Sequence, residues 1–328
     1  SDRDVWIRSA SRGGGEYYYE MIFVYVDDIL VLSHDPHQII KDLEQSYEFK
    51  GGGGETPTTY LGATIEQMKT EDDRTLWAMS PKQYLTTAVT IVEEMLKADR
   101  DGLELRKGRY CKAPFPSNHK PELDCTPELS AGSASRFQQL IGIARWAIEL
   151  GQLDINLEIS LLSQHQALPR EGHLEVMSHV FAFIKHHTLE DKDEHRIVSD
   201  PSIPNIDCRH MKMNVDWSDF YPDATEEVQD DMPKPLGKPV LINCFVDANH
   251  AGNVVTRRSH TGILIYVNNA PIMWYSKRQN TVETSTFGSE FVALRVAKEL
   301  IVALRHKLQT FGVPIIGPDG AEVLGRYL

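Results

Sequence analysis

Residues 23–32 read FVYVDDILVL, so two adjacent carboxylates, Asp27 and Asp28, stand between two apolar runs. Like charges repel, and burying a carboxylate is costly, so neither acid fits inside a hydrophobic core unless something compensates. Aromatic and β-branched residues on both sides are typical of strands, and the pattern predicts a β-hairpin with strands over 21–26 and 29–33. The predicted turn consists of Asp27 and Asp28, which places both carboxylates at the tip.

A hairpin tip with two carboxylates has two interpretations. Mg²⁺ prefers oxygen ligands and is commonly held by one or two carboxylates together with substrate phosphates. Two such ions about 4 Å apart can clamp the attacking and leaving oxygens of a phosphoryl transfer, and a cation would offset the repulsion between Asp27 and Asp28. The alternative is an ordinary exposed Asp-Asp turn. The apolar strands and the nearby Tyr25 favour the metal-binding interpretation.

The distribution of charge bears on the class of partner. The net charge of −13 argues against a uniform affinity for nucleic acid, which needs Lys and Arg to neutralise phosphates. Local patches decide binding, however, and the charge is uneven. Residues 213–233 carry seven acidic side chains and no Lys or Arg, whereas the last part of the chain is locally basic. Four of its basic residues flank predicted strands: Arg257, Arg258, Lys277 and Arg278.

Alternating periods of two and 3.6 residues predict a mixed α/β protein in four parts. The parts are 1–79 with the hairpin, a helical region at 80–200, an acidic linker or insert at 201–238, and a second α/β unit at 239–328. Strands are predicted over 60–67, 239–247, 262–267 and 271–276, and helices over 39–49, from Ser80 onward, 134–150, 172–187 and 286–311. The expected apolar faces are Tyr84, Ala88, Ile91 and Met95 on the helix after Ser80, and Phe291, Leu294, Ala297, Ile301, Leu304 and Leu308 on the last helix.

Cysteine and histidine spacing gives no sign of a zinc site. His173 and His187 lack paired ligands at metal-site spacing, and we expect surface or capping histidines. No stretch approaches the ~18 apolar residues of a membrane span. We therefore expect an intracellular protein whose scattered cysteines are reduced thiols: Cys111, Cys125, Cys208 and Cys244.

The motif YVDD at 25–28 resembles the YxDD motif of reverse transcriptases, and the wider string YVDDILVLSHDP is similar to copia-type long-terminal-repeat retrotransposon Pol polyproteins. Further family-like strings follow in the family's order: YLGATIE, LIGIARWAIELGQLDI, CFVDANHAG, RRSHTG, WYSKRQ and TSTFGSEFVAL. The resemblance implies a reverse-transcriptase palm portion and a helical thumb, followed by an incomplete ribonuclease H-like α/β domain.

The resemblance also implies roles for individual residues. Asp27 would be a metal ligand of the polymerase site, Asp28 a second ligand or a metal-orienting group, and Tyr25 would lie near the primer end. Asp247 and Glu290 would be the first two acids of a ribonuclease H site. Asp247 ends a predicted strand and Glu290 lies in the first turns of a helix, so packing could bring both to one metal. The alternative for Glu290 is a helix N-terminal acid that the helix dipole favours.

In the intact family, the implied cofactors are Mg²⁺ or Mn²⁺ and the partners are an RNA template, a DNA primer and an RNA–DNA hybrid. The sequence departs from the family at both ends. Only 24 residues precede Tyr25, so we expect the fingers, most of the palm and a further metal-binding Asp to be absent. The tail DGAEVLGRYL lacks the family's Asp-Asn strand, and Asp319 and Glu322 have the wrong spacing and context to replace it.

These observations favour a fragment of an RNA-directed DNA polymerase with ribonuclease H that is inactive as an isolated chain, located in cytoplasmic retrotransposon particles or in the nucleus. A non-catalytic remnant or a domesticated nucleic-acid-binding protein is the alternative. An unrelated metal-binding or scaffold protein would have to carry all these motifs in order by chance.

Overall fold

The computed structural model describes residues 4–49, 54–98, 112–189, 196–204, 230 and 232–316. Within these ranges the chain is a mixed α/β protein with three antiparallel sheets and six α-helices. The strands are β1 Val5–Ser11, β2 Tyr17–Tyr25, β3 Asp28–Leu32, β4 Thr59–Tyr60, β5 Ala63–Lys69, β6 Thr75–Ser80, β7 Ile197–Ser199, β8 Ile242–Asn249, β9 His260–Val267 and β10 Ala270–Arg278. The helices are α1 Pro36–Glu44, α2 Lys82–Ala98, α3 Ala131–Glu149, α4 Asn156–Leu162, α5 Glu171–Phe183 and α6 Thr286–Thr310.

The first sheet has the order β1-β2-β3 and confirms the predicted hairpin, to which β1 adds a strand that the sequence pattern did not predict. A buried acid lies inside this sheet. Glu20 accepts hydrogen bonds from Arg8 (2.6 Å), Ser33 (2.7 Å) and Tyr18 (3.3 Å). Because a buried carboxylate requires such partners, these contacts explain how Glu20 is tolerated at 7% exposure.

The second sheet has the order β4-β5-β6-β7. The strand predicted over 60–67 is interrupted, because Leu61 and Gly62 both have positive φ angles and form the turn between β4 and β5. Gly62 tolerates this conformation without strain. The short strand β7 arrives from far along the chain and pairs with β6 through Ile197 and Met79.

Helices α2, α3, α4 and α5 form the largest core of the described protein. Its fully buried side chains include Phe137, Leu140, Ile141, Ile155, Met177 and Phe181. The stripe predicted for α2 is only partly correct. Ala88 is buried, but Ile91 is 40% exposed, and the buried positions are otherwise Leu85, Val89, Val92 and Leu96. Tyr84 and Met95 are partly buried and pack against this core, so Ile91 is the predicted position that lies off the buried face.

The third sheet has the order β10-β9-β8 and is covered on one face by α6. After α6, the chain returns to the open edge of β8. Val240 donates to Pro314 O (2.9 Å), and Ile316 donates to Val240 O (2.8 Å), which makes a parallel bridge between Val240 and Ile315. A meander of three antiparallel strands is thus followed by a helix and a parallel return beside the first strand.

The face predicted for α6 is correct in its second half and wrong in its first. Ala297 and Leu304 are buried against Ile263 and Ile265, with Ile301 and Leu308 packed beside them. Phe291 and Leu294, however, are 61% and 54% exposed. The small residues Ser289 and Ala293 face the sheet instead, because the start of α6 lies close to it.

A seam joins the third sheet to the helical core. Ser160 of α4 donates to Ser276 O of β10 (2.7 Å), and Trp274 packs against the helical core. Lys120 donates to Gly252 O (3.3 Å), and Glu122 accepts from the backbone of Val254 (3.0 Å). The loop between β8 and β9 is therefore held by the segment that precedes α3.

Three smaller predictions have outcomes. The helix predicted over 39–49 begins earlier, at Pro36, because Asp35 caps it by accepting from Gln38 N (3.3 Å). It ends at Glu44. His173 is a capping histidine, as predicted, although it is buried and not at the surface. Cys125 and Cys244 carry free thiols. Cys111, Cys208, Asp319, Glu322 and nearly all of the acidic stretch 213–233 lie outside the described residues, and the predicted domain limits stay a prediction.

No helix within the described ranges is both long and apolar enough to cross a membrane.

Candidate functional site

The tip of the β2–β3 hairpin differs from the prediction by one residue. Tyr25 pairs with Asp28 across the ladder, so the turn consists of Val26 and Asp27, and Asp28 is the first residue of β3. Val26 has φ +53°, which a β-branched residue adopts only with strain. The turn nevertheless fits a two-residue hairpin loop, which requires positive φ at its first position when it is of type II′. The hairpin therefore places Asp27 and Asp28 on successive residues of a strained tip.

Both carboxylates of the tip are exposed to solvent, and neither forms an ion pair with a described residue. A second Asp-Asp turn in the same protein behaves differently. Asp72 contacts Arg74 (2.5 Å), and Asp73 contacts Lys69 (3.0 Å). The contrast shows that adjacent aspartates at a turn can be neutralised by neighbouring side chains, and that Asp27 and Asp28 are not.

A cleft of about 370 Å³ opens beside Asp28. Its other walls are the β4–β5 turn and the first turns of α2, contributed by Thr59, Tyr60, Leu61, Gly62, Gln83, Tyr84 and Thr87. Burial and the Asp28 carboxylate raise the pKa of the Tyr60 phenol. Tyr84 is fixed, since its hydroxyl donates to Ile143 O (3.1 Å). The sequence analysis did not predict this cleft. The glycine inside the YLGATIE string, Gly62, was the available signal that the strand is interrupted there.

Asp247 lies in β8, the edge strand of the third sheet, and Glu290 lies in α6, which packs against β8. Successive side chains of a strand point to opposite faces. Because Cys244 and Val246 pack on the α6 side, Asp247 belongs to the opposite face, where it is exposed. Glu290 is half-buried in the second turn of α6, whose first turn is capped by Ser285 through Gly288 N (3.1 Å).

The loop after β8 meets the start of α6, since His250 Nδ1 lies 3.2 Å from Ser289 Oγ. The structure therefore brings the segments of Asp247 and Glu290 to the same end of the sheet, while alternation assigns Asp247 to the face that α6 does not cover. Neither acid forms an ion pair with a described residue.

The four basic residues that flank the predicted strands lie in different surroundings. Register pairs Arg278 with His260 and Lys277 with Thr261, so Arg278 and Lys277 lie on opposite faces of the third sheet. Arg278 shares its face with Ser276, Gly262 and Asp247, whereas Lys277 is exposed on the α6 side. Arg257 is exposed in the β8–β9 loop and has φ +58°. Arg258, half-buried, follows it immediately before β9.

Histidines gather where the helical core meets the third sheet. The rings of His165 and His173 are tilted by 32° to each other, with centroids 4.2 Å apart. His173 Nδ1 accepts from Arg170 N (3.1 Å), so Nε2 carries the proton and donates to Pro121 O (2.9 Å). Burial, followed by the proximity of His173, lowers the pKa of His165 to about 4. Sequence spacing missed His165, because its neighbours come from separate segments.

These side chains do not form a complete metal centre. Among the described residues, no group of three or more His, Cys, Asp and Glu side chains could hold a metal ion. The carboxylates that a divalent ion could use therefore come in twos at most: Asp27 with Asp28 at the hairpin, and Asp247 or Glu290 beside β8. Oxygen ligands of this type fit Mg²⁺ or Mn²⁺, which accept water in the remaining positions.

The chain is similar to transposon-encoded polyproteins. Over 305 residues it is 21% identical to the retrovirus-related Pol polyprotein from transposon TNT 1-94 of Nicotiana tabacum, which covers 91% of this chain and 19% of the tobacco protein. Over 187 residues it is 26% identical to a transposon Ty5-1 protein of Saccharomyces cerevisiae, which covers 56% of this chain and 53% of the yeast protein. A third match, 40% identical over 60 residues, is to secreted RxLR effector protein 161 of Plasmopara viticola and covers 18% of this chain and 42% of that protein.

No protein-family model matches the chain, and no solved structure matches it significantly. The chain spans between a fifth and about half of the length of these curated relatives. Two of the three carry the name of a transposon, and one of these extends over nearly the whole chain. The chain is therefore related, at low identity, to retrotransposon polyproteins.

Proposed function

We propose that the chain is a portion of a retrotransposon Pol polyprotein whose parent polymerises DNA on an RNA template and hydrolyses the RNA of the resulting hybrid. In this proposal, Asp27 and Asp28 belong to the polymerase site, with Tyr25 near the primer end. Asp247 and Glu290 belong to the ribonuclease H site. The compartment is the cytoplasm, inside retrotransposon particles, or the nucleus.

One observation carries the proposal. All four acids are at least partly exposed, and none of them forms an ion pair with a described residue, whereas Asp72 and Asp73 do. Carboxylates without protein counter-charges are available to divalent cations, which phosphoryl transfer on nucleic acid requires. The order of the third sheet supports the proposal further, because three antiparallel strands, a long helix and a parallel return suit a ribonuclease H-like unit.

The isolated chain should bind nucleic acid without extending or cleaving it. The hairpin offers two acids, and Asp247 lies on the sheet face that the helix of Glu290 does not cover. Half of a two-metal site can neither hold both ions tightly nor align an in-line attack. We expect no Mg²⁺-dependent extension of a DNA primer on RNA and no cleavage of an RNA–DNA hybrid above background. Extension that disappears in Asp27→Asn, or cleavage that disappears in Asp247→Asn, would overturn the expected inactivity.

Cation binding tests the site assignment directly. Mn²⁺ added to the isotopically labelled full chain should broaden the amide signals of residues 25–28 at millimolar concentration, because two solvated carboxylates bind such ions weakly. The double variant Asp27→Asn/Asp28→Asn should lose this broadening. The matched control is Asp72→Asn/Asp73→Asn, which removes the same charge from another Asp-Asp turn. Equal broadening at both turns in the unmodified chain would contradict the assignment.

A further inference from the structure

Arg258 and Arg278 come together on one face of the third sheet. Gln279 N donates to Ser259 O (2.8 Å), which extends the β9–β10 ladder beyond the His260–Arg278 pair. Alternation then places Arg258, His260 and Arg278 on the same face. Arg258 is the diagonal neighbour of Arg278, a separation of roughly 7–8 Å that long side chains bridge easily. We call these two residues the arginine pair.

The arginine pair has no protein counter-ion within the described parts of the chain. Neither guanidinium forms an ion pair there, although both side chains are half-buried. At least five other arginines of the described ranges have a carboxylate partner, among them Arg8, which contacts Glu20, and Arg74, which contacts Asp72 and Asp200. Burial and the charge of Arg258 lower the pKa of Arg278, and no carboxylate opposes this effect. Two guanidiniums are thus held near each other against their mutual repulsion.

The two histidines beside the pair add no positive charge at neutral pH. His260 Nε2 lies 2.9 Å from Ser276 Oγ, and burial together with Arg278 lowers the pKa of His260 to about 4. His165, on the helical side of the seam, has a pKa of about 4 as well, and Arg278 contributes to that value. On that side Glu122 accepts a hydrogen bond from Val254 N.

The shape of the site follows from these contacts. Arg278 is anchored on a strand at the seam, and Arg258 ends a loop that Lys120 and Glu122 hold in place. Asp247 lies on the same face, two strands from Arg278, which corresponds to about 10 Å across the sheet. A pair of fork-shaped donors held in place suits an anion with several acceptor oxygens, because guanidiniums match phosphate geometry.

We propose that the arginine pair is a phosphate seat for the sugar–phosphate backbone of a nucleic acid, and that Lys277 and Arg257 do not form part of it. The inference rests on the proposed function, because that function supplies the nucleic acid. It goes further because it names which two of the four basic residues bind a phosphate, and it places the nucleic-acid backbone on the same sheet face as Asp247.

The first test measures binding of a fluorescein-labelled RNA–DNA hybrid to the full chain by anisotropy over a range of NaCl concentrations. Arg258→Gln and Arg278→Gln should each weaken binding about 10- to 100-fold, the loss expected for a charge-assisted hydrogen bond. Each should also reduce the slope of log K against log[salt] by about one. Lys277→Gln removes the same charge one residue away on the opposite face, and should change the affinity less than about threefold. A loss in Lys277→Gln equal to that in Arg278→Gln would overturn the seat.

The second test does not depend on nucleic acid. Pyrophosphate should raise the melting temperature of the unmodified chain above that in NaCl of equal ionic strength, since a ligand that binds only the folded state stabilises it. Arg258→Gln and Arg278→Gln should abolish this rise and, without ligand, melt at or above the temperature of the unmodified chain because the repulsion is relieved. Lys277→Gln should retain the rise. Absence of any pyrophosphate effect, or an equal effect in all variants, would overturn the seat.

The two tests together separate the two proposals. Stabilisation by pyrophosphate that requires both arginines, without binding of the hybrid, would leave the seat standing and count against the proposed function. Binding of the hybrid that is unchanged in both arginine variants would leave the proposed function standing and remove the seat.

Discussion

Tyr60 and Asp28 line the same cleft, where burial and the Asp28 carboxylate together raise the pKa of the Tyr60 phenol. The carboxylate acts because a negative charge nearby disfavours the phenolate. Asp28→Asn should therefore lower the pKa of Tyr60, but not to its ordinary value, because burial is the larger cause. Titration of ¹³C-tyrosine signals by NMR, with Tyr60→Phe for assignment, measures the change.

The control for this prediction is Asp27→Asn, which removes the neighbouring charge from the same hairpin. Asp27 does not line the cleft and should leave the Tyr60 titration where it is. If both variants shifted the titration equally, the charge of Asp28 in the cleft would not be the specific cause.

Val26 is a source of strain that a single substitution can release. Its φ of +53° is unfavourable for a β-branched residue, and its side chain is 84% exposed, so nothing packs against it. Val26→Gly should raise the free energy of unfolding by about 1 kcal/mol, since glycine is favoured at the first position of a type II′ turn. Urea unfolding followed by circular dichroism measures the difference.

The same substitution two residues earlier should have the opposite effect. Val24 lies inside β2 and pairs with Ile29, so Val24→Gly should destabilise the protein by about 1 kcal/mol or more. A decrease in both variants would contradict the strain assigned to Val26.

The sequence predicted the third sheet and α6 closely because their signals are local. Continuous runs of β-branched, apolar and aromatic residues mark β9 and β10, and Ser285 precedes α6 as a cap that accepts from Gly288 N. The apolar face of α6 was predicted less well. Hydrophobicity suggests that Phe291 and Leu294 are buried, but only packing decides that Ser289 and Ala293 meet the sheet instead.

The meeting of Arg258 with Arg278 could not be predicted from local sequence at all. Twenty positions separate the two residues, and their juxtaposition depends on the register that the Asn268–Asn269 turn sets between β9 and β10. A shift of one residue would move Arg278 to the other face. The same limitation applies to the hairpin tip, where the motif YVDD suggests a symmetrical Asp-Asp turn but the pairing of Tyr25 with Asp28 moves it by one position.

Acid should weaken the seam through His165. Its pKa of about 4 in the folded chain lies below the ordinary value of 6.5, so the unfolded chain takes up a proton first as the pH falls. The stability contributed by neutral His165 is therefore present above about pH 6.5 and is lost progressively towards pH 4. Because the ring is only partly buried, we expect a loss of about 1–2 kcal/mol, measured by urea unfolding at several pH values.

His165→Gln should remove this portion of the pH dependence. His306→Gln is the matched control, since it deletes an imidazole at an exposed position of α6 away from the seam. Should the two variants lose the same amount of pH dependence, the burial of His165 would not be responsible.

The seam should also make the helical core and the third sheet unfold together. Trp274 is a residue of β10 that packs against the helical core, so Trp274→Ala removes contacts between the two parts. We expect a loss of about 2 kcal/mol, less than the full cost of truncating a buried Trp because Trp274 is half-exposed. Trp6→Ala, at a site that is 54% exposed, should cost less than half as much in the same urea measurement. Equal losses would show that Trp274 does not join the two parts.

The exposure of the YVDD tip has a consequence for how such a sequence changes over generations. A buried or ion-paired carboxylate resists replacement because folding depends on it, as Glu20 does within its three hydrogen bonds. Asp27 and Asp28 have no such ties, so the fold alone exerts no selection on them. Their persistence in any lineage of this chain would therefore report selection for chemistry or recent descent, and their loss would leave a hairpin of the same shape.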